Sequence, residues 1–251
     1  MGTVANPGIV TGLHVEVALI RKLSPKYQSE LLISCHGPGP EAARQAANEL
    51  IGKGAGGLIS FGFAGGIDER LAAGTIVLAT EIRAGRYDRT RSTDQWRQTV
   101  RSAVKWSRPP IEAPIAAVDK IVSEAGDKTR LRYQTDAVAA DMESFAVGRA
   151  AHDAGLPFIA VRAISDPALQ SLPIMALDAV DAQGKLRPGR ILWSLIRHPG
   201  QLRELVRLAD NTRAASEALS QVIRQIAPRF CLPDFRGQLI RQLRGAGDPF
   251  S

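Results

Sequence analysis

The sequence has few cysteines and no long apolar run. Only two cysteines, Cys35 and Cys231, occur among 251 residues. They are far apart and lack CxxC or Cys/His spacing, so neither a disulfide framework nor a metal site is indicated. No apolar run reaches the roughly 18 residues of a membrane span, and no basic segment followed by a continuous apolar stretch begins the chain. We therefore expect a cytoplasmic protein in a reducing compartment.

Aromatic residues are also scarce, at 5%, although the net charge is +7. Base stacking on aromatic rings is therefore not indicated, and we expect no nucleic-acid partner. From Lys185 onward, twelve basic residues stand against five acidic ones, whereas residues 1–184 sum to zero. The C-terminal arginines that alternate with Leu and Ile at helical spacing are Arg203, Arg207, Arg224, Arg241 and Arg244. This pattern predicts a basic amphipathic surface, suited either to peripheral contact with the inner face of the membrane or to a solvated helix face.

Short apolar runs alternate with helical stretches before residue 167. The predicted strands are GIV, LLISC, GGLISFG, GTIVLATEI, APIAAVDKI and LPFIAVRAIS, and the clearest predicted helices are EAARQAANELIGK and ADMESFAVGRAAHDAG. Such alternation is typical of a mostly parallel sheet covered by helices on both faces. We predict a single α/β domain over residues 1–251, in which residues 169–251 form a long loop and basic C-terminal helices packed on it.

Ligands of such sheets bind beyond the carboxyl ends of the strands. The segments at these positions are Gly12–Glu16, His36–Pro40, Gly62–Gly66 and Ser165–Asp166. The glycine clusters HGPGP and GFAGG match neither a P-loop nor a dinucleotide-binding fingerprint, which argues against a kinase or a dehydrogenase. They fit either tight turns or a close approach of backbone N–H groups to a ligand.

Two carboxylates occupy apolar surroundings. Glu143 lies in the helix start AADMESFAV, where an unpaired buried charge would cost several kcal/mol, so it needs partners such as two sugar hydroxyls. Asp166 ends the most hydrophobic strand and could hold a proton for a leaving group, or could be a turn residue before Pro167. On pattern alone, Glu16 would be a surface residue and Met142 an ordinary core residue.

In combination, GIVTGLHVEV, FGFAGGIDERLAAGTIVLATEI and ADMESFAVGRAAHDAGLPFIAVRAISD resemble the nucleoside phosphorylase and nucleosidase superfamily. Within it they are most similar to the 5'-methylthioadenosine/S-adenosylhomocysteine nucleosidase branch. The resemblance covers roughly residues 8–167. It implies a three-layer αβα sandwich around a mixed, mostly parallel central sheet, and an enzyme that cleaves the N-glycosidic bond of a purine nucleoside.

The resemblance also implies roles for individual residues. Met142 and Glu143 would hold the ribose, Glu143 through the 2' and 3' hydroxyls. Asp166, with Ser165 beside it, would protonate purine N7 and so make the base a better leaving group. Glycosidases also use a carboxyl acid to protonate their leaving group. Glu16 would activate water. The glycine loop would contribute Ala64 and Gly65 to the base and ribose pocket, and Ile121 stands where the family carries a stacking aromatic residue.

The C-terminal part departs from the small nucleosidases because it is longer and more basic. ILWSLIRHPGQLRELVRLADNTRAASEALSQVI, CHGPGPEAAR and GLISFGFAGG resemble the hopanoid-associated phosphorylase group. That resemblance implies release of adenine from adenosylhopane, whose 5' substituent is a large lipid, and a role in hopanoid biosynthesis. The alternatives are a 5'-methylthioadenosine/S-adenosylhomocysteine nucleosidase and a non-catalytic nucleoside- or lipid-binding module.

The nucleophile stays open at this level, between water and phosphate as co-substrate, and we expect no cofactor. Glu16 favours water, since a carboxylate would repel phosphate. HGPGP and the arginine-rich stretch RAGRYDRTRSTDQWR favour phosphate, provided that their N–H groups face the site, although the stretch would also suit a solvated loop. The family resemblance further implies a homo-oligomer.

Overall fold

The computed structural model describes residues 6–23, 27, 30–172, 181, 183–185, 187 and 202–234. Its strands are β1 (Gly8–Val10), β2 (Leu32–Ser34), β3 (Leu58–Gly66), β4 (Ile76–Ala84), β5 (Asp88–Arg91), β6 (Ile111–Ala117), β7 (Ala139–Asp141) and β8 (Phe158–Asp166). Its helices are α1 (His14–Leu23), α2 (Pro40–Gly52), α3 (Asp94–Ala103), α4 (Ala125–Thr135), α5 (Ser144–Asp153) and α6 (Leu202–Ile226).

The strands form one mixed sheet that is mostly parallel. β1 pairs in parallel with β2 and β3, and β3 pairs in parallel with β8. The pairs β4–β6 and β6–β7 are also parallel, whereas β3–β7, β4–β5 and β4–β8 are antiparallel. The predicted fold class is confirmed in this respect.

Five of these strands close on themselves. β3 pairs with β8, β8 with β4, β4 with β6, β6 with β7, and β7 returns to β3. The closing pair joins Gly65 to Ala140 and Gly66 to Ala139, so small residues stand where the chains meet. This closure brings the end of β7, and with it Glu143, back along β3.

Helices cover both faces of the sheet. Successive strand residues point to opposite sides, so neighbouring residues of one strand contact different helices. Leu58 belongs to a core cluster with alanines of α2 and α5, whereas its neighbour Ile59 belongs to a second cluster with Ile20, Trp96 and Leu219. The first face is therefore covered by α2 and α5, and the second by α1, α3 and α6. The predicted three-layer arrangement is confirmed.

The arginine-rich stretch contains regular structure that the sequence did not predict. It forms the edge strand β5 and helix α3. Trp96 of α3 is fully buried and donates its indole N–H to the Phe230 carbonyl at 2.7 Å. The predicted strand APIAAVDKI is shorter than expected, because β6 ends at Ala117 and Val118–Ile121 continue as a loop.

Helix α6 packs its apolar side on the sheet and exposes its arginines. Its buried residues include Ala215, Leu219, Val222 and Ile223, and Arg203, Arg207 and Arg224 are exposed. Because α6 also carries Glu204, Asp210 and Glu217 beside its four arginines, its excess of positive charge is small. The predicted basic positions Arg241 and Arg244, like most of the predicted loop after Leu172, lie outside the described residues. Within the described ranges, no helix combines the length and apolarity of a membrane span.

Two helical glycines provide a matched test of this packing. A Cβ at Gly148 of α5 would come within 2.5 Å of Thr90 Cγ2 and 2.9 Å of Phe158 Cε1, whereas a Cβ at Gly126 of α4 would meet nothing within 4 Å. We expect Gly148→Ala to destabilise the protein by about 1–3 kcal/mol through overpacking. Gly126→Ala should be neutral or stabilising by up to about 1 kcal/mol. Urea denaturation measures both, and equal midpoints for the two variants would contradict this packing.

Candidate active site

Buried carboxylates occur in two groups of side chains along β3. Gly62 contacts Glu16, and Gly65 contacts Asp166. Because a strand advances by roughly 3.3 Å per residue, the two contact points are about 10 Å apart. The closed sheet places Glu143 in the first group and Ser165 in the second. The segments predicted to surround a ligand at the strand ends are therefore adjacent in space.

Glu16 is buried rather than on the surface, with 2% of its area exposed. It is the third residue of α1 and folds back toward the helix start, where Oε2 accepts N–H groups from Gly12 at 3.1 Å and Leu13 at 3.0 Å. This reach-back is the glutamate half of a capping box. Oε1 accepts the Phe63 N–H at 2.7 Å, which ties α1 to β3. Burial raises the pKa of Glu16 to about 7, although the nearby Arg162 guanidinium opposes the shift.

Glu143 stands at the N-terminal boundary of α5 and faces the glycine loops. Its Oε1 accepts the Gly39 N–H at 3.0 Å, and its Oε2 accepts from Arg162 Nη2 at 3.4 Å. Burial raises its pKa, Arg162 lowers it, and Asp141 raises it further. Gly12 allows this approach, because a Cβ there would lie 2.9 Å from Glu143 Oε1.

Arg162 joins the two glutamates, and its role was missed from the sequence. It lies in the middle of β8, fully buried, and donates from Nε to Asp141 Oδ2 at 2.6 Å and from Nη2 to Ser60 Oγ at 2.6 Å. Ser144 Oγ completes the network by bonding Asp141 and Ser60. An arginine inside the apolar run FIAVRAIS is a signal in itself, since a buried guanidinium needs acidic partners.

Position 62 has no space for a side chain, because Glu16 and Arg162 both lie against Gly62. The register places Gly62 opposite Arg162. A Cβ at Gly62 would overlap Glu16 Oε1 and approach Arg162 Nη1 to 2.8 Å. The glycine cluster GFAGG therefore makes space for two charged side chains, which is a different use of glycine from either a tight turn or an anion-binding loop.

Asp166 owes its position to a bulge in β8. Ala64 pairs with Ile164 and Gly65 with Asp166, so Ser165 is an extra residue between them. Bulges of this kind re-aim side chains next to binding sites. Ser165 Oγ lies 2.9 Å from Asp166 Oδ1 and 3.4 Å from the Ala64 carbonyl. A Cβ at Gly65 would come within 3.1 Å of Asp166 Oδ2.

A buried lysine, also missed from the sequence, contacts the other side of Asp166. Lys128 of α4 lies with Nζ 2.8 Å from Asp166 Oδ2. Beyond Asp166, a cavity of about 210 Å³ is lined by Leu169, Gln170 and residues of α6 that include Arg207. The signal for Lys128 was weak, because a lysine in a polar helix is usually solvated.

The remaining predicted site residues divide into two sets. Ala64 is buried beside Ser165, and Met142 lies near the first group, where its Cε is 3.8 Å from the position of a Cβ on Gly39. Ile121, in contrast, is 52% exposed on the loop after β6. That loop is joined to the segment after Asp166 by a 2.9 Å hydrogen bond from Leu172 N to the Ser123 carbonyl.

The profile of the Phosphorylase superfamily matches residues 21–197. The chain is 27% identical over 169 residues to the 5'-methylthioadenosine/S-adenosylhomocysteine nucleosidase of Shewanella sp. (strain MR-7), covering 58% of the chain and 70% of that protein. It is 27% identical over 167 residues to the Shewanella halifaxensis nucleosidase of the same name, covering 58% and 72%.

Solved structures show the same fold. The 5'-methylthioadenosine/S-adenosylhomocysteine nucleosidase of Neisseria meningitidis, in complex with methylthio-immucillin-A, superposes with a TM-score of 0.66 at 17% identity, covering 87% of this chain and 96% of that chain. Futalosine hydrolase of Helicobacter pylori superposes with a TM-score of 0.65 at 15% identity, covering 88% and 97%. At these identities the likeness concerns the fold alone.

The raised pKa of Glu16 predicts a pH effect on stability. Between pH 4.5 and about 7 the folded protein keeps a proton that the unfolded chain has released. The contribution of Glu16 to stability is therefore largest below pH 4.5 and is lost as the pH rises to about 7. We expect a glutamate carboxyl signal that titrates near pH 7 in ¹³C NMR and disappears in Glu16→Gln. A midpoint near 4.5 for that signal would contradict the buried geometry.

Proposed function

Because the chain belongs to the Phosphorylase superfamily, we propose that it is an enzyme that cleaves the N-glycosidic bond of a purine nucleoside. The observation that carries this proposal is that three carboxylates, Glu16, Glu143 and Asp166, are buried near the ends of strands β1, β7 and β8 of one sheet. Glu143 offers hydrogen-bond acceptors for sugar hydroxyls, and Asp166 offers an acid for a base. The nucleosidase names of the relatives support the same bond as the target.

In this proposal Glu143 binds the ribose. Its two oxygens are held by Gly39 N–H and Arg162, and each oxygen keeps lone-pair capacity for a hydroxyl of a 2',3'-diol. Burial of an ionised carboxylate is costly, and two sugar hydroxyls would offset part of that cost. Met142, in the neighbouring position, packs against the sugar.

Asp166 is the proposed acid. A carboxyl group that hydrogen-bonds purine N7 supplies a proton there, so that the base leaves neutral while the sugar becomes oxocarbenium-like. Ser165 orients Asp166 through the bond to Oδ1. Ala64 and Gly65 line the base side, and Ile121 covers the base from the loop after β6.

Glu16 is the proposed base, and its surroundings favour water as the nucleophile. A pKa of about 7 suits a group that accepts a proton near neutral pH. The water oxygen bonds to C1' as the C1'–N9 bond breaks, and the water proton passes to Glu16. The loop N–H groups of Gly12, Leu13 and Gly39 already donate to carboxylates, so they are not free to bind phosphate.

The positions of the arginines also favour water over phosphate, because Arg162 and the arginines of β4 and β5 already have acidic partners. Arg162, the cation that acts on Glu16, is already paired with Asp141 inside the core. The arginine-rich stretch lies at the other edge of the sheet, because β3, β8 and β4 separate β1 from β5. There Arg83 donates to Glu81 at 2.6 Å, and Arg89 and Arg91 lie within 4.0 Å of the same carboxylate.

We further propose a lipid-linked substrate, adenosylhopane, used in hopanoid biosynthesis at the membrane surface. Three large apolar side chains are exposed on the segments around Asp166: Ile121 at 52%, Leu169 at 67% and Val206 at 53%. Arg207, next to Val206, lines the cavity that Leu169 also lines. Exposed apolar groups suit an apolar 5' substituent, and at this surface the cation Arg207 lies beside the anion Glu204.

The alternative substrate is soluble. The 5'-methylthioadenosine/S-adenosylhomocysteine nucleosidase relatives favour a small or polar 5' substituent. A non-catalytic binding module is a weaker alternative, because Glu16, Glu143 and Asp166 are all present and buried. We propose that the chain forms a homo-oligomer, as the family resemblance implies. We propose no organic cofactor for either substrate, since acid and base are both supplied by side chains.

Asp166→Asn tests catalysis against binding. We expect kcat for adenine release to fall about 100-fold or more, because the substituted side chain cannot deliver the proton. Affinity for a non-cleavable nucleoside analogue, measured by calorimetry, should change little. Asp136→Asn, at the exposed end of α4, is the control and should keep wild-type kcat. A wild-type protein that binds the analogue but releases no base would establish a binding module instead.

A substrate comparison tests the finer proposal. Adenosylhopane in anionic liposomes, 5'-methylthioadenosine and S-adenosylhomocysteine are each incubated with the protein, with and without phosphate, and adenine and sugar products are analysed. We expect the highest kcat/KM for the lipid and a free ribosyl product in both conditions. A 1-phosphate product would overturn water as the nucleophile, and preference for the soluble nucleosides would overturn the lipid substrate.

A further inference from the structure

Lys128 is the one residue of α4 whose side chain is buried. The helix AGDKTRLRYQT is polar, and Lys128 is 1% exposed. A buried ammonium is unfavourable unless acceptors surround it. An apolar or shorter side chain could be buried at this position at lower cost. The lysine therefore indicates that its charge has a use where α4 packs against the turn after β8.

The ammonium is surrounded by four oxygens of one turn. Nζ lies 2.8 Å from Asp166 Oδ2, 2.9 Å from the Gln170 carbonyl, 3.1 Å from the Pro167 carbonyl and 3.4 Å from the Asp166 carbonyl. An ammonium has three hydrogens, so these acceptors use its full donor capacity. The turn from Asp166 to Gln170 is therefore folded around Lys128.

This arrangement fixes the Asp166 side chain from both ends. Oδ2 is held by Lys128, and Oδ1 by Ser165 Oγ at 2.9 Å. The same lysine holds the carbonyl of Gln170, which lines the cavity beside Asp166. The direction of the carboxyl group and the shape of the adjoining cavity thus depend on one cation.

We propose that Lys128 is a positioning residue for glycosidic cleavage, acting through Asp166 without touching the substrate; this inference rests on the proposed function. Lys128 donates to Oδ2, so the proton for purine N7 is carried on Oδ1, beside the Ser165 hydroxyl. Small displacements of an acid from its reacting atom lower the rate of the chemical step more than they weaken substrate binding. Loss of Lys128 therefore lowers kcat much more than it raises KM.

The test is a double-mutant cycle on kcat and KM. Lys128→Met keeps a long unbranched side chain without charge, and Lys105→Met makes the same change at an exposed lysine. We expect kcat to fall about 30- to 100-fold in Lys128→Met, with KM changed less than about threefold, and no change in Lys105→Met. In an Asp166→Asn background, Lys128→Met should change kcat less than about twofold, because the residue it acts through is gone.

Chemical rescue covers the case in which Lys128→Met does not fold. Lys128→Ala is assayed with propylammonium, which replaces the missing amine, and with 1-propanol, which has the same shape without the charge. We expect propylammonium alone to restore kcat by about tenfold. Three outcomes would overturn the positioning role. They are equal losses of kcat in the wild-type and Asp166→Asn backgrounds, rescue by both compounds or by neither, and wild-type kcat in Lys128→Met. A wild-type protein that releases no purine would instead refute the proposed function.

Discussion

The site depends on one buried guanidinium. Arg162 is fully enclosed, and its contacts with Asp141 and Glu143 allow two acidic side chains to remain in the core beside Glu16. Removing one partner from such a cluster typically costs about 3–5 kcal/mol, because the remaining charge stays buried. The elements that supply the other members, α1, β3, β7 and α5, are therefore held in register by electrostatics as well as by packing.

The closed strand arrangement determines where the members of that charge cluster lie. β7 is only three residues long, yet it pairs with β3 and β6, and Glu143, which follows it, lies against Gly12 and accepts the Gly39 N–H. The same strand β3 carries Gly65 at its far end, next to Asp166. Glu16 and Asp166 thus both pack against one strand, at Gly62 and Gly65.

The sequence predicted much of the fold and part of the site. Apolar runs identified most of the strands, the rule for strand ends located the segments that carry Glu16 and Asp166, and the apolar surroundings of Glu143 singled out that residue. The three-residue β7 was not predicted, because Ala140 and Asp141 were assigned to the predicted helix ADMESFAVGRAAHDAG, whereas α5 begins only at Ser144. The ring closure leaves no pattern in the sequence. Arg162 and Lys128 were missed as site residues because their partners are remote in sequence: Ser60 is 102 residues from Arg162, and Asp166 is 38 from Lys128. The bulge at Ser165 is visible only in the pairing register.

That bulge makes the position of Asp166 sensitive to chain length. Arg162 and Asp166 belong to one strand, and the extra residue Ser165 sets the face on which Asp166 emerges. Deletion or insertion of one residue between them would turn the carboxyl group to the opposite face of the sheet. A change of chain length at this point would therefore leave the Arg162 cluster intact while it moved Asp166 away from Lys128.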